Sequence, residues 1–240
     1  MPADVLAGVA LAVQSAIALY LVVGEPILGT RSYRRLLAIL DSDPAARLNF
    51  YRKIVILEWA LVFLVLVTLR LAGEPAAVIG LTSGRLDSEA LILVIALAAG
   101  IAAPLIIGAF SPGYREALQR QMESVKGLLP GRPDERLWYA LVAITAGVCE
   151  EILFRGFLIA YFMKVVPGLP VVAALILSGA VFGMAHLYQG WGGVMTTGFL
   201  GIMLGVLYLY TGSLVWPIVT HALLDLRVLA LPGVKPPASQ

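Results

Sequence analysis

Cysteine, histidine and charge are all scarce in this chain. Its single cysteine, Cys149, excludes an intramolecular disulfide and any cysteine-based zinc cluster. That residue lies in an apolar run, where a packed core thiol is expected rather than a nucleophile. Charged side chains make up 13% of the 240 residues, against about a quarter in an ordinary soluble domain. The net charge of +2 is too small and too scattered to point to a nucleic-acid partner. What fills the space is apolar: 60% of residues are hydrophobic and the mean hydropathy is +0.92. The expected fold is therefore all-α, a polytopic transmembrane bundle of about seven to eight helices around a buried polar site, with the lipid bilayer as its solvent.

Apolar stretches of roughly the length of a membrane span run over residues 5–23, 54–72, 89–110, 137–162, 170–188, 194–211 and 214–231. The first has no basic segment before it and no small-residue cleavage pattern after it, so it reads as a retained helix rather than a signal peptide. Residues 232–240 read as a polar tail without a lipidation signal. Basic residues gather in 24–53 (Arg31, Arg34, Arg35, Arg47, Arg52, Lys53) and 111–136 (Arg115, Arg120, Lys126, Arg132, Arg136), whereas 73–88 holds only Arg85. The positive-inside rule places the two basic segments in the cytoplasm and the N-terminus outside. Residues 116–130 are weakly amphipathic and read equally as an interfacial helix or a solvated linker. Glycine and proline punctuate the chain after residue 166, where the polar residues of the spans also fall.

Those polar residues are few. In Glu150-Glu151-Ile-Leu-Phe-Arg155, three charges sit inside an apolar run, and each costs at least about 2.5–3.5 kcal/mol at the bilayer centre. Glu151 and Arg155 are i and i+4 on one helical face and can pair. Glu150 is rotated by about 100° and aims elsewhere. The two histidines, His186 and His221, both lie in later spans, and Asp225 follows His221 by four residues. Glu58, in the second span, is expected to reach the cytoplasmic interface beside Arg52 and Lys53. A lone membrane histidine is often only a helix–helix hydrogen bond. Six ionisable residues on three spans favour function, by metal binding, by general-base chemistry on water, or by proton-coupled transport.

Taken in order, Glu150-Glu151-x-x-x-Arg155, Phe182-x-x-x-His186 and His221-x-x-x-Asp225 resemble the CPBP family of intramembrane proteases, which includes the type II CAAX prenyl endopeptidase and the bacterial Abi-type proteins. The surrounding Phe154-Arg155-Gly156-Phe157 and Gly212-Ser-Leu-Val-Trp-Pro217 match as well. The resemblance runs over roughly 137–228 and divides the single membrane domain into N-terminal helices (1–136) and a catalytic core (137–231). It implies peptide-bond hydrolysis in a peptide or membrane-associated protein. Glu150, His186, His221 and Asp225 would be catalytic, with Glu150 activating water and the others at or near the scissile carbonyl. Glu151, Arg155 and Phe182 would support them. Many members end the last motif in Asn. An ionised Asp225 cannot donate to an oxyanion as an Asn amide does.

No cofactor follows with certainty. Glu150, His186 and His221 are the set that would hold zinc or another divalent metal, making the enzyme a metalloprotease, but Glu150 would then no longer be free as base. The alternatives are a non-catalytic immunity or assembly factor on the same fold, and a proton-coupled transporter. The alanine- and leucine-rich composition suggests a multi-pass protein of a bacterial cytoplasmic membrane. The motifs speak to catalysis and leave the substrate, its prenylation and the oligomeric state open.

Overall fold

The computed structural model describes residues 2–230, and the expected tail at 232–240 lies outside them. Helix α1 (Ala3–Leu19) passes through a π-helical turn, Tyr20–Gly24, into α2 (Glu25–Ile39). Then come α3 (Ala46–Ala72), α4 (Ser88–Phe110), the short α5 (Pro112–Met122) and α6 (Pro133–Glu150). The last of these continues through a second π segment, Glu151–Leu158, into α7 (Ile159–Val165). Helices α8 (Val171–Ala185), α9 (Gly190–Thr211) and α10 (Val215–Leu226) complete the bundle. Among the described residues there is no strand, so the expected all-α class holds.

Local chemistry sets many of the boundaries. The Asp87 carboxylate accepts from the Ala90 N–H at the start of α4, and the Ser111 hydroxyl accepts from the Tyr114 N–H at the start of α5. Proline opens both α5 and α6, where its missing N–H costs nothing. Gly73 and Gly212 end α3 and α9 in the left-handed conformation.

Among the described residues, five stretches are long and apolar enough to cross a membrane: Asp4–Ile39, Ala46–Ala72, Ser88–Phe110, Pro133–Val165 and Leu187–Thr211. The chain is an integral membrane protein, but not one of seven full spans. Helices α8 and α10 are too short to cross by themselves. The expected polar loop at 24–53 is also corrected, because most of it is helix: α2 runs on to Ile39 and α3 begins at Ala46. Arginine, lysine and tyrosine are compatible with helix, so charge there ends the hydrophobic run without ending the helix.

The core forms around the second π segment. Ile152, Leu153, Phe154, Phe157 and Leu158 pack with Leu21, Val62, Val65, Phe182 and Leu214. Helices α8 and α9 approach closely because glycine faces glycine. A Cβ at Gly183 would lie 2.5 Å from the Val194 carbonyl oxygen and 3.0 Å from the Gly198 Cα, a small-residue contact typical of membrane helices. The outer faces are apolar and exposed, as at Ile56, Phe63, Ile92 and Phe199, which suits contact with lipid.

The basic segments are pinned together at one end. Arg47 donates to Glu135 at 2.7 Å and to the Gly127 carbonyl at 3.0 Å, and Tyr51 donates to the Leu128 carbonyl at 2.6 Å. Glu135 also accepts from the N–H groups of Gly131 and Arg132. At the other end, two turns are sunk into the bundle. The Ser213 hydroxyl donates to the Thr82 carbonyl, the Leu214 N–H to the Gly80 carbonyl, and the Arg85 N–H to the Thr211 carbonyl. A Cβ at Gly156 would come within 2.6 Å of the Ile79 carbonyl oxygen and 3.1 Å of Leu214. Both turns therefore lie level with Gly156, nine residues before the end of the continuous Pro133–Val165 helix. Full-length spans would have kept His186 and His221 apart; the sunken turn and the short α10 bring them to one level.

Candidate active site

Glu151 stands at the centre of the polar cluster and is fully buried. Its Oε1 lies 2.9 Å from Arg155 Nη1 and 2.7 Å from His221 Nδ1. The contact with Arg155 is an ion pair by distance without an aligned hydrogen bond, since Nη1 and Nη2 have no hydrogen-bond partner. The guanidinium is held in two further ways. Its Nε donates to the Gly201 carbonyl at 3.3 Å, and its carbon sits 4.0 Å above the Phe182 ring, a cation–π contact. Gly201 makes room for this: a Cβ there would lie 3.0 Å from both Arg155 Nη2 and Phe182 Cδ1.

The expected Glu151–Arg155 pair is thus present. Sequence reasoning missed its second half, in which Glu151 also holds His221. The partners are 70 residues apart and meet only because the α9–α10 turn is sunk.

His221 Nε2 is 3.6 Å from Glu150 Oε2 and 3.7 Å from Asp225 Oδ2. With Nδ1 donating to the Glu151 carboxylate, Nε2 is the ring nitrogen that faces the other two acids. His186 caps the C-terminal end of α8, and its Nδ1 is 2.8 Å from the Phe182 carbonyl oxygen. A carbonyl only accepts, so this Nδ1 carries the hydrogen and leaves Nε2 free. Phe182 joins the pieces: its ring centroid lies 4.6 Å from that of His186, 5.9 Å from His221 and 5.1 Å from Phe154. Cys149 is buried and free.

Glu150, His186, His221 and Asp225 all line one cavity of about 440 Å³, bordered by α3, α4, α6, α9 and α10. Tyr139 and Tyr188 line it too, and no local pattern singles either of them out. Glu58 overturns its expected place. Instead of reaching the interface it turns inward to the same cavity, with Oε2 buried and without a hydrogen-bond partner. The error lay in the helix edge: α3 starts at Ala46 rather than at 54, so Glu58 sits three turns in instead of one.

Among the described residues, no group of three His, Cys, Asp or Glu side chains is gathered as metal ligands. The nearest donors stand at ion-pair spacing around His221, with Glu150 Oε2 at 3.6 Å and Asp225 Oδ2 at 3.7 Å from its Nε2. A metal held by Glu150, His186 and His221 would occupy the carboxylate that otherwise serves as base.

Residues 132–227 match the family model described as type II CAAX prenyl endopeptidase, Rce1-like. The match supports placing this region among the CPBP/CAAX proteases, as the three motifs implied. No curated protein and no solved structure matches the chain.

Proposed function

With residues 132–227 an Rce1-like region of a membrane protein, we propose that the chain is an intramembrane endopeptidase in which Glu150 activates a water for attack on a scissile peptide carbonyl. The observation that carries this reading is the division of labour between the two glutamates. Glu151 is consumed by Arg155 and His221, whereas Glu150 hydrogen-bonds to neither, standing 3.6 Å from His221 Nε2, and opens to the cavity. A general base needs that freedom and that access.

In the proposed reaction, Glu150 takes a proton from water as the oxygen attacks the carbonyl carbon. The tetrahedral intermediate then collapses, the C–N bond breaks, and the same proton passes to the leaving amine. His186 and His221 each present Nε2 with Nδ1 tied to an acceptor. Their ring orientations are thereby fixed before substrate arrives, and as imidazolium each would donate from Nε2 to the developing oxyanion. Asp225 lies beside His221 Nε2 and in its protonated form donates to the developing oxyanion.

The test is comparative analysis of membrane-derived peptides from cells carrying the unmutated chain or Glu150→Gln. New peptide ends that vanish in the variant, and in His186→Ala, support the reading. If Glu150→Gln retains every biological effect of the chain, the non-catalytic immunity or assembly role replaces it.

A further inference from the structure

A second, smaller pocket of about 120 Å³ lies on the α2 side of Glu150. It shares Glu58, Glu150 and His186 with the larger cavity, so the two meet at the proposed base. Its charge is one-sided: Glu25, Glu58 and Glu150 line it, and no lysine or arginine does. Apart from His186, the rest of its wall is mostly leucine, phenylalanine and tyrosine, with Gly29, Ile54 and Ala185.

Clustered carboxylates alone would say little. The Glu58 side chain adds a second observation, because it lines this pocket and its buried Oε2 faces no donor of the protein. A carboxylate kept in that state in an apolar bundle is costly unless something pairs with it. Glu25 stands at the other side of the pocket. The Tyr20 hydroxyl donates to its Oε2, and its Oε1 lies where a Cβ at Gly29 would approach to 3.1 Å. The π turn Tyr20–Gly24 immediately precedes Glu25, and such turns often re-aim residues at functional sites.

We propose that this pocket is a specificity subsite for the cationic side chain of a lysine or arginine next to the scissile bond of the peptide substrate. The ammonium or guanidinium would pair with Glu58 and Glu25, and the aliphatic stem would lie along Leu57, Leu61 and Leu153. A peptide lying across Glu150 then has one flank beside His221 and Asp225 and the other here. The proposal rests on the protease reading for its substrate but depends on different residues.

The test uses the full-length chain in micelles. Glu150→Gln serves as the background that holds peptide uncut. Two blocked apolar peptides are compared, identical except for lysine or norleucine at one position, which is walked along the sequence. At one position lysine should bind at least tenfold more tightly than norleucine. Adding Glu58→Gln should bring that ratio close to one, and Glu25→Gln should lower it in part. Absence of lysine preference at every position overturns the subsite. So does a preference left unchanged in either variant that elutes and unfolds as the parent does.

A lipid amine offers the same chemistry. The binding is therefore repeated in phosphatidylglycerol nanodiscs with and without phosphatidylethanolamine. Selectivity equal in both supports the peptide assignment, and selectivity abolished by the ethanolamine lipid overturns it. Cleavage by the unmutated chain without lysine preference sinks the subsite and leaves the protease. Lysine-selective binding without cleavage of either peptide supports the pocket and sinks the protease.

Discussion

Arg155 holds one carboxylate, and that carboxylate holds one imidazole; the sequence of contacts makes Arg155 a positioning residue two steps from the chemistry. Replacing it with Met would strand Glu151 as an uncompensated buried charge, at about 3–5 kcal/mol. A fall in the thermal unfolding temperature of detergent-solubilised Arg155→Met, with lost activity, is the expected outcome. Asp225 can be separated from such effects, because its side chain is only partly buried. Asp225→Asn keeps a donor beside His221 Nε2 and should retain cleavage. Asp225→Leu should lower kcat by about 10²–10³, the usual cost of one oxyanion donor. Single-turnover assays on a cleaved peptide would measure both. Because the proposed reaction uses Glu150 as base on a free water, activity should survive exhaustive chelation and be unchanged by added zinc.

Helices decide how far these residue-level contacts can be trusted to hold. Gly147 lets α6 and α10 touch: a Cβ there would lie 2.8 Å from both the Ala222 N and Cβ. Ala222 directly follows His221, so Gly147→Leu should push the imidazole away from Glu151. The expected result is loss of cleavage with insertion and expression preserved, since the outer faces are untouched. Legibility in the sequence follows the same line. The Glu151–Arg155 pair was readable because i and i+4 lie on one helical face. The Glu151–His221 bond was not, because no local pattern says that the Thr211–Leu214 turn is sunk to the level of Gly156. Gly212 and Pro217 marked a break there but gave no depth. Glu58 was misread for a related reason: hydropathy locates where a run becomes apolar, and α3 starts a full two turns earlier.

The molecule as a whole is tied at both ends across its halves. At the basic end, the buried Arg47–Glu135 pair joins α3 to the start of α6. Arg47→Met should therefore destabilise the fold by about 3–5 kcal/mol, read as a lowered unfolding temperature, though neither residue lines the cavity. The family-level character of residues 132–227 was legible in three short motifs, while the contribution of the preceding helices was not, since they read only as generic apolar spans.

At the opposite end, the turn that carries α10 into place is bonded to Gly80 and Thr82, 50 or more residues before the Rce1-like region begins. Gly80 and Gly84 are moulded against Tyr208 and Ser213 with positive φ. The consequence concerns autonomy. A fragment cut at residue 132 would retain every motif residue yet lack the ledge on which the Thr211–Leu214 turn rests. Its histidine would have no fixed height from which to meet Glu151. The catalytic motifs can be written in one half of the chain, but the half before it sets their level.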